Sequence, residues 1–343
     1  MRALSLNESR LAAAGAGLLS AALLSTLASD LTGGAFSVAA LFFYFTPLPL
    51  FFAGLAYGVS GAAIASAAAT AALAVDGGVL NGGALGGLAP ALAYLAVFAL
   101  PVIALVHWAL WSRPAVYAAP SSGWNDNRAA QVEWFPAGQL VMRLCGLAVA
   151  LLAAVMLVTA LTGQNLETYV QTVVAEIIKH FPEQSVPDIA EDIARALVTL
   201  LPALAAAGWI ALMAINGAIA QGLAKKIGQN LRPAPAMAEI EFPNWLAVAF
   251  LVALALAVAN SSRGIATVTL ASILAMPFLF QGIGVVHWLA DFAPSRRVML
   301  IGFYILLFAA RILVFLVTIL GLIEQWANLR QRFAGQHAGR RRL

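Results

Sequence analysis

Long apolar blocks, from which charged side chains are almost excluded, divide this chain of 343 residues. Hydrophobic residues make up 62% of it and charged residues only 10%. A helix of about 20 apolar residues crosses the roughly 30 Å hydrocarbon core of a bilayer. Only helices and closed barrels satisfy the backbone polar groups there, and continuous rather than alternating blocks favour helices. We therefore expect an all-α, polytopic transmembrane helical bundle.

The hydropathy pattern predicts eight or nine membrane segments. With the N terminus in the cytoplasm, most basic loops fall inside, as the positive-inside rule requires. Nine full crossings would leave the arginine-rich tail outside, so we expect both termini inside and eight true crossings. The broken second segment and the eighth, which contains Pro277, are the candidates for an incomplete crossing. The segments are 11–29, 36–57, 59–75, 84–111, 139–162, 198–223, 243–260, 265–290 and 298–323.

Four regions follow from this pattern. Residues 1–162 form an N-terminal transmembrane block, and residues 200–326 form a C-terminal one. Between them, residues 163–199 combine helical apolar spacing with charged residues on the other face, which indicates an extramembrane amphipathic helical hairpin. A solvated hairpin and a cover over a membrane cavity both fit it. Residues 327–343 form a basic tail.

The composition also limits the function. The net charge of +4 comes from basic residues at helix ends and in the tail, so we expect no nucleic-acid partner. The single cysteine, Cys145, excludes an intramolecular disulfide and a cysteine-based metal cluster. No enzyme motif is present, so we expect no catalytic residue, no cofactor and no metal ligand. The expected location is the inner (plasma) membrane, as a multi-pass protein.

The second segment contains the strongest local signal. Pro47 and Pro49 remove two amide donors within Thr46-Pro47-Leu48-Pro49, so the helix must kink or open there. Opening a helix in lipid frees carbonyl groups that need other partners. We expect Thr46, Pro47 and Pro49 to line a cavity.

Three residues of the C-terminal block complete the candidate cavity. Arg311 lies in the middle of the ninth segment, where a charge is costly and needs a polar partner. It either contacts an anionic ligand or has a structural role, as an ion pair or a cap on the carbonyls near Pro47. Gln281 is an amide within a segment, for which interhelical hydrogen bonding is the default. His287 is the histidine of a Val-His-Trp tripeptide at 286–288, which also occurs at 106–108. A histidine in this setting fits a proton shuttle or an interfacial anchor.

A glycine-rich stretch separates the third and fourth segments. It contains Asp76-Gly77-Gly78, Asn81-Gly82-Gly83 and Gly86-Gly87. It lacks the lysine and the preceding strand of a phosphate-binding loop. We expect a flexible hairpin at the outer mouth of the cavity.

Two resemblances to known families extend this interpretation. The run from Phe280 to His287, followed by Arg296-Arg297 and the closing Gly321-Leu322-Ile323-Glu324-Gln325-Trp326, resembles the YybS-like family of predicted bacterial membrane proteins, a domain of unknown function. Thr46-Pro47-Leu48-Pro49 and the stretch from Ala53 to Gly61 are similar to substrate-binding subunits of energy-coupling-factor transporters. The second resemblance implies a related membrane fold and small-molecule binding, although this chain adds a C-terminal helical block.

Two functions remain open from the sequence. The protein is either a small-molecule-binding or transport subunit, or a membrane scaffold or assembly factor without transport activity. Its expected partners are the lipid bilayer and, according to the function, a small-molecule ligand or another membrane protein.

Overall fold

Helices form nearly all of the fold in the computed structural model. It describes residues 5–29, 42–80, 83–114, 132–178, 187–235, 237, 240–259, 264–330 and 332. The chain divides into two compact units. The first comprises Met1–Pro136 with Ala211–Pro235, and the second comprises Ala137–Ile210 with Ala236–Leu343. The predicted all-α class is confirmed.

Within the described residues, the first unit contains five complete helices, the end of a sixth and a small hairpin. Strands β1 and β2 pair antiparallel, with Arg113 opposite Glu133. Residues 115–131 lie outside the described residues. The elements are α1 (Leu6–Ser29), α2 (Leu48–Tyr57), α3 (Val59–Leu80), α4 (Ala84–Tyr94), α5 (Leu100–Ala109), β1 (Ser112–Pro114) and β2 (Val132–Trp134), and a π-helical turn at Leu95–Ala99 joins α4 to α5.

A single residue, Gly58, separates α2 from α3. Its φ of 87° lies in the left-handed region that side chains with a Cβ rarely adopt. Its amide donates to the carbonyl of Gly54 and ends α2, so α3 can begin at the next residue. The turn lies within the glycine-containing stretch that carries one of the two family resemblances.

The prediction of a flexible glycine hairpin is wrong for most of its length. Helix α3 continues through Asp76, Gly77 and Gly78 to Leu80, and α4 already includes Gly87. A Cβ at Gly87 would clash with the carbonyl oxygen of Ala74. These glycines therefore let α3 and α4 pack backbone to backbone, as small residues do in membrane bundles. Asn81 and Gly82 lie outside the described residues.

The second unit contains α6 (Ala137–Leu161), α7 (Leu166–Ile178), α9 (Asn244–Ala259), α10 (Ile265–Ala290), α11 (Arg296–Ala309) and α12 (Arg311–Ala327). Helix α8 (Pro187–Lys226) begins in this unit and ends in the first. Its 40 residues reach about 60 Å, twice the hydrocarbon thickness. The second arm of the predicted hairpin and the sixth apolar segment are therefore one continuous helix. Residues 179–186, the predicted break, lie outside the described residues.

Helices α10 and α12 form an antiparallel pair at the centre of the second unit. A Cβ at Gly282 would clash with the carbonyl of Val317, and one at Gly321 would clash with the carbonyl of Phe278. The earlier residue on α10, Phe278, meets the later residue on α12, Gly321, and Gly282 meets the earlier Val317, so the two helices run antiparallel. Phe278 is completely buried, and its ring lies 5.4 Å from that of Phe250 on α9.

The ninth apolar segment, predicted as one span over 298–323, is broken into two helices. Helix α11 ends at Ala309, and α12 begins at Arg311 after a bend of 116°. Ala310 has extended backbone angles, and no proline or glycine stands at the break. Arg311 therefore lies at a helix terminus, and its side chain is exposed.

Five helices among the described residues are long and apolar enough to cross a membrane. The bent pair α11–α12 brings the number to six if it counts as one span. Helices α2 and α9 are apolar but shorter. Helix α10 continues through Pro277 and has the length of a span, so its proline does not interrupt it. The five long spans are Val59–Val79, Gly86–Ala109, Ala137–Leu161, Ala196–Lys226 and Ile265–Ala290.

Candidate functional site

The turn before α2 is the point at which the proline signal takes effect. Without amides at Pro47 and Pro49, the chain tightens, and the amides of Phe45, Thr46 and Leu48 each donate to a carbonyl three residues back. The amide of Leu48 goes to Phe45 rather than to Tyr44. The carbonyl groups of Tyr44 and Thr46 are thereby left for side-chain donors. The structure describes this turn at residues 44–47, directly before α2.

The side chain of Ser20 on α1 donates a hydrogen bond to one of these carbonyls. Its hydroxyl donates to the oxygen of Thr46 at 2.5 Å and lies 2.6 Å from the hydroxyl of Tyr94 on α4. Because the single proton of Ser20 is used on Thr46, Tyr94 must donate to Ser20. Ser20 and Thr46 are fully buried, and Tyr94 is nearly so. The three groups form one directed chain that connects α1, the turn and α4, and such chains strengthen their members.

The side chain of Asn216 on α8 donates a hydrogen bond to the other carbonyl. Its Nδ2 donates to the oxygen of Tyr44 and to that of Leu212 in its own helix, both at 2.8 Å. The two amide protons are therefore used.

Two oxygens of this cluster have no protein partner among the described residues. They are Oγ1 of Thr46 and Oδ1 of Asn216. Each belongs to a residue that is at most 2% exposed. Ser66 on α3, also buried, has an unpartnered Oγ in the same unit. A buried polar atom without a partner is costly, so the oxygens of Thr46 and Asn216 indicate places where a bound water, ion or polar ligand completes the site.

The six predicted cavity residues divide between the two units. Thr46, Pro47 and Pro49 lie together in the first unit, and all three are buried. Gln281, His287 and Arg311 belong to the second unit.

The second-unit candidates have different environments. Gln281 is buried in α10, and its Oε1 has no partner among the described residues. His287 is half-buried and hydrogen-bonded to the hydroxyl of Tyr304 at 2.7 Å. Arg311 lies at the start of α12. The carbonyls near Pro47 accept hydrogen bonds from Ser20 and Asn216. These two residues therefore have the capping role that was considered for Arg311.

The closing Gly-Leu-Ile-Glu motif has a structural role. The buried carboxylate of Glu324 accepts from the amide of Leu329 and from Nε of Arg330, both at 2.8 Å. Asn328, in the left-handed conformation at φ 47°, ends α12 and turns the chain back toward this carboxylate. Gln325 donates to the carbonyl of Phe242 at 2.7 Å. The motif fastens the end of α12 to the chain that precedes α9.

Sequence reasoning missed Ser20 and Tyr94 as members of the broken-helix cluster. A serine in a long apolar segment is a common residue, and nothing near it in sequence connects it to Thr46. One signal was available in the sequence. Two carbonyl groups freed by proline in lipid require hydroxyl or amide donors, and these donors must come from other segments.

The fold and this cluster define a polytopic helical membrane protein with a broken helix and a buried polar site. The chain belongs to the family described as predicted membrane protein (DUF2232), whose model matches residues 133–324, more than half of the chain. The match includes Asn216, Gln281, His287 and Arg311 but not the broken helix at Thr46. No curated protein and no solved structure matches the chain.

Proposed function

We propose that the protein binds a small polar molecule or ion within the membrane, as a transport subunit or permease-like module without enzymatic activity. The observation that carries this proposal is the broken helix before α2, with the unpartnered oxygens of Thr46 and Asn216 buried around it. Discontinuous helices with unwound backbone and inward-facing polar groups are the usual construction of transporter binding sites.

The chemistry of the cluster supports a neutral or cationic ligand. The free atoms are hydroxyl and amide oxygens, and the nearby groups are carbonyls and hydroxyls. Oxygen acceptors of this kind bind hard cations or hydrogen-bond donors. The proposal also includes a relationship to the substrate-binding subunits of energy-coupling-factor transporters and to the YybS-like family. Gln281, His287 and Arg311 stay predictions as cavity residues.

The proposal also includes the bacterial inner membrane as the location. Helices α2 and α9, which are apolar but short, would then be inserted with the longer spans and, with the bent pair α11–α12 counted as one span, bring the number of segments to eight.

The substitution Thr46→Val tests the site. It replaces the hydroxyl, which has no protein partner among the described residues, with a methyl group, so the ligand-free protein should unfold at the same or a higher temperature. Thermal unfolding in mild detergent is followed by tryptophan fluorescence with sodium, potassium and a set of small polar solutes. We expect one of them to stabilise the wild type and to lose that effect in Thr46→Val.

Ser66→Ala is a matched control because it also removes a buried, unpartnered hydroxyl, from α3. If Thr46→Val destabilises the ligand-free protein, Thr46 is structural and the proposal fails. It fails as well if no ligand stabilises the wild type, or if both variants lose the effect equally.

One observation favours the scaffold function. Helix α11 buries none of its residues, and Phe308 is 94% exposed. A photo-crosslinking amino acid at position 308 would attach to one defined membrane protein if α11 docks a partner, and to lipid if it does not.

A further inference from the structure

We propose that an open groove beside α3 binds a lipid with an amine-bearing headgroup. The groove lies in the first unit, is lined by none of the predicted cavity residues, and does not rest on the function proposed above. It is lined by six apolar side chains and one acid: Leu18, Ala68, Ala71, Ala72, Val75, Val79 and Asp76.

The small side chains of Ala68, Ala71 and Ala72 shape the groove. The neighbouring face of α3 is packed, with Ala65 and Ala69 fully buried. On the groove side, Leu18, Val75 and Val79 are more than half exposed. Since α3 contains a candidate span, Val59–Val79, apolar side chains exposed on it face lipid chains. The volume of about 590 Å³ falls within the range of ligand pockets, about 300–1,000 Å³.

Asp76 determines which lipid the groove suits. It lies one turn before the end of the candidate span, at the depth where a headgroup meets the acyl chains. Its Oδ2 accepts a hydrogen bond of 2.8 Å from Ser25 on α1. Within the described part of the chain, no basic side chain forms an ion pair with it. A carboxylate at this depth calls for a positive partner.

An amine-bearing lipid meets both requirements. Its ammonium group would pair with Asp76, and its chain would run along Val75, Ala72 and Ala68. The groove follows α3 for about 16 Å from Val79 to Ala68, which gives room for most of an acyl chain. An anionic headgroup would be repelled by the same carboxylate. The groove should therefore select amine-bearing lipids over anionic lipids by the charge of the headgroup.

Native mass spectrometry of the delipidated full-length protein tests this proposal. The protein is titrated with equal amounts of phosphatidylethanolamine and phosphatidylglycerol that have the same chains. We expect the wild type to bind the amine-bearing lipid about fivefold more tightly, as one exposed ion pair allows. Asp76→Asn should remove this preference. Ser25→Ala should keep it, because the carboxylate remains.

The groove itself is tested by Ala72→Phe, with Ala160→Phe as the matched control on the exposed side of α6. Ala72→Phe should reduce the lipid bound, whereas Ala160→Phe should not. The proposal is overturned if the preference persists in Asp76→Asn, if phosphatidylglycerol is preferred, or if both phenylalanine variants behave alike. It is also overturned if a co-purifying single-span protein is displaced by Ala72→Phe, because the groove would then hold a helix.

Discussion

The hydroxyl of Ser20 and the carbonyl of Thr46, 26 residues apart in sequence, meet at 2.5 Å in the buried interior of the first unit. This contact connects α1 to the turn opened by Pro47 and Pro49. The structure thus pairs a carbonyl freed by proline with a donor from a different helix. Breaking a helix in lipid is tolerated under this condition.

The first prediction concerns Ser20→Ala. The change removes the bond to Thr46 and leaves the hydroxyl of Tyr94 buried without its acceptor. We expect a loss of about 1–3 kcal/mol in the free energy of unfolding. Thermal unfolding in detergent measures it. Ser9→Ala, which removes an exposed hydroxyl bonded within its own helix, is the control, and an equal loss in both variants would contradict the prediction.

The second prediction concerns the close contact between α10 and α12. Gly282→Ala places a methyl group against the carbonyl of Val317, so the two helices must separate. We expect a loss of about 1–3 kcal/mol or more. Gly302→Ala is the control, since a Cβ there meets nothing within 4 Å and alanine favours helices. Gly302→Ala should be neutral or stabilising; a fall in melting temperature of the same size in both would contradict this account.

The membrane class was predictable because it depends on local composition. Blocks of apolar residues determine that helices form in lipid, and two prolines determine where one helix opens. The partners of the opened turn were not predictable, because Asn216 lies 172 residues from Tyr44. Such contacts depend on how the helices pack, and no short pattern encodes that packing.

Arg311 and the glycines show where local patterns mislead. The apolar run around Arg311 predicts one span, since no proline or glycine marks the break at Ala310. Gly77 and Gly87 predict a flexible turn, because glycine permits both flexibility and close packing. The deciding fact is the position of the neighbouring helix, which the sequence alone does not provide.

The third prediction concerns the ion pair of Glu324 and Arg330. Both side chains are largely buried, so Glu324→Gln leaves a guanidinium without its carboxylate. We expect a loss of about 3 kcal/mol. The backbone amide of Leu329, which donates to Glu324, should also exchange with deuterium faster. Glu133→Gln, in an exposed ion pair with Arg113, should change little. Unchanged exchange at Leu329 in Glu324→Gln would exclude the proposed fastening of the helix end.

The last prediction concerns Arg232, in the chain that follows α8. Its Nη1 donates to the carbonyl of Ala109 at 2.8 Å, and its Nη2 donates to that of Phe135 at 3.0 Å. Burial lowers the pKa of this guanidinium, yet arginine titrates so far above neutral pH that it stays charged. The planar fork reaches both carbonyls at once, and the guanidinium lies 5.9 Å from the ring centre of Trp134.

A lysine at this position has one ammonium group and cannot bridge both carbonyls. We therefore expect Arg232→Lys to lose about 1–3 kcal/mol of stability although the charge is kept. Arg297→Lys, at an exposed position on α11, is the matched control and should have little effect. Thermal unfolding at neutral pH compares the two. Equal melting temperatures would mean that charge alone, and not the geometry of the fork, holds the end of α5 in place.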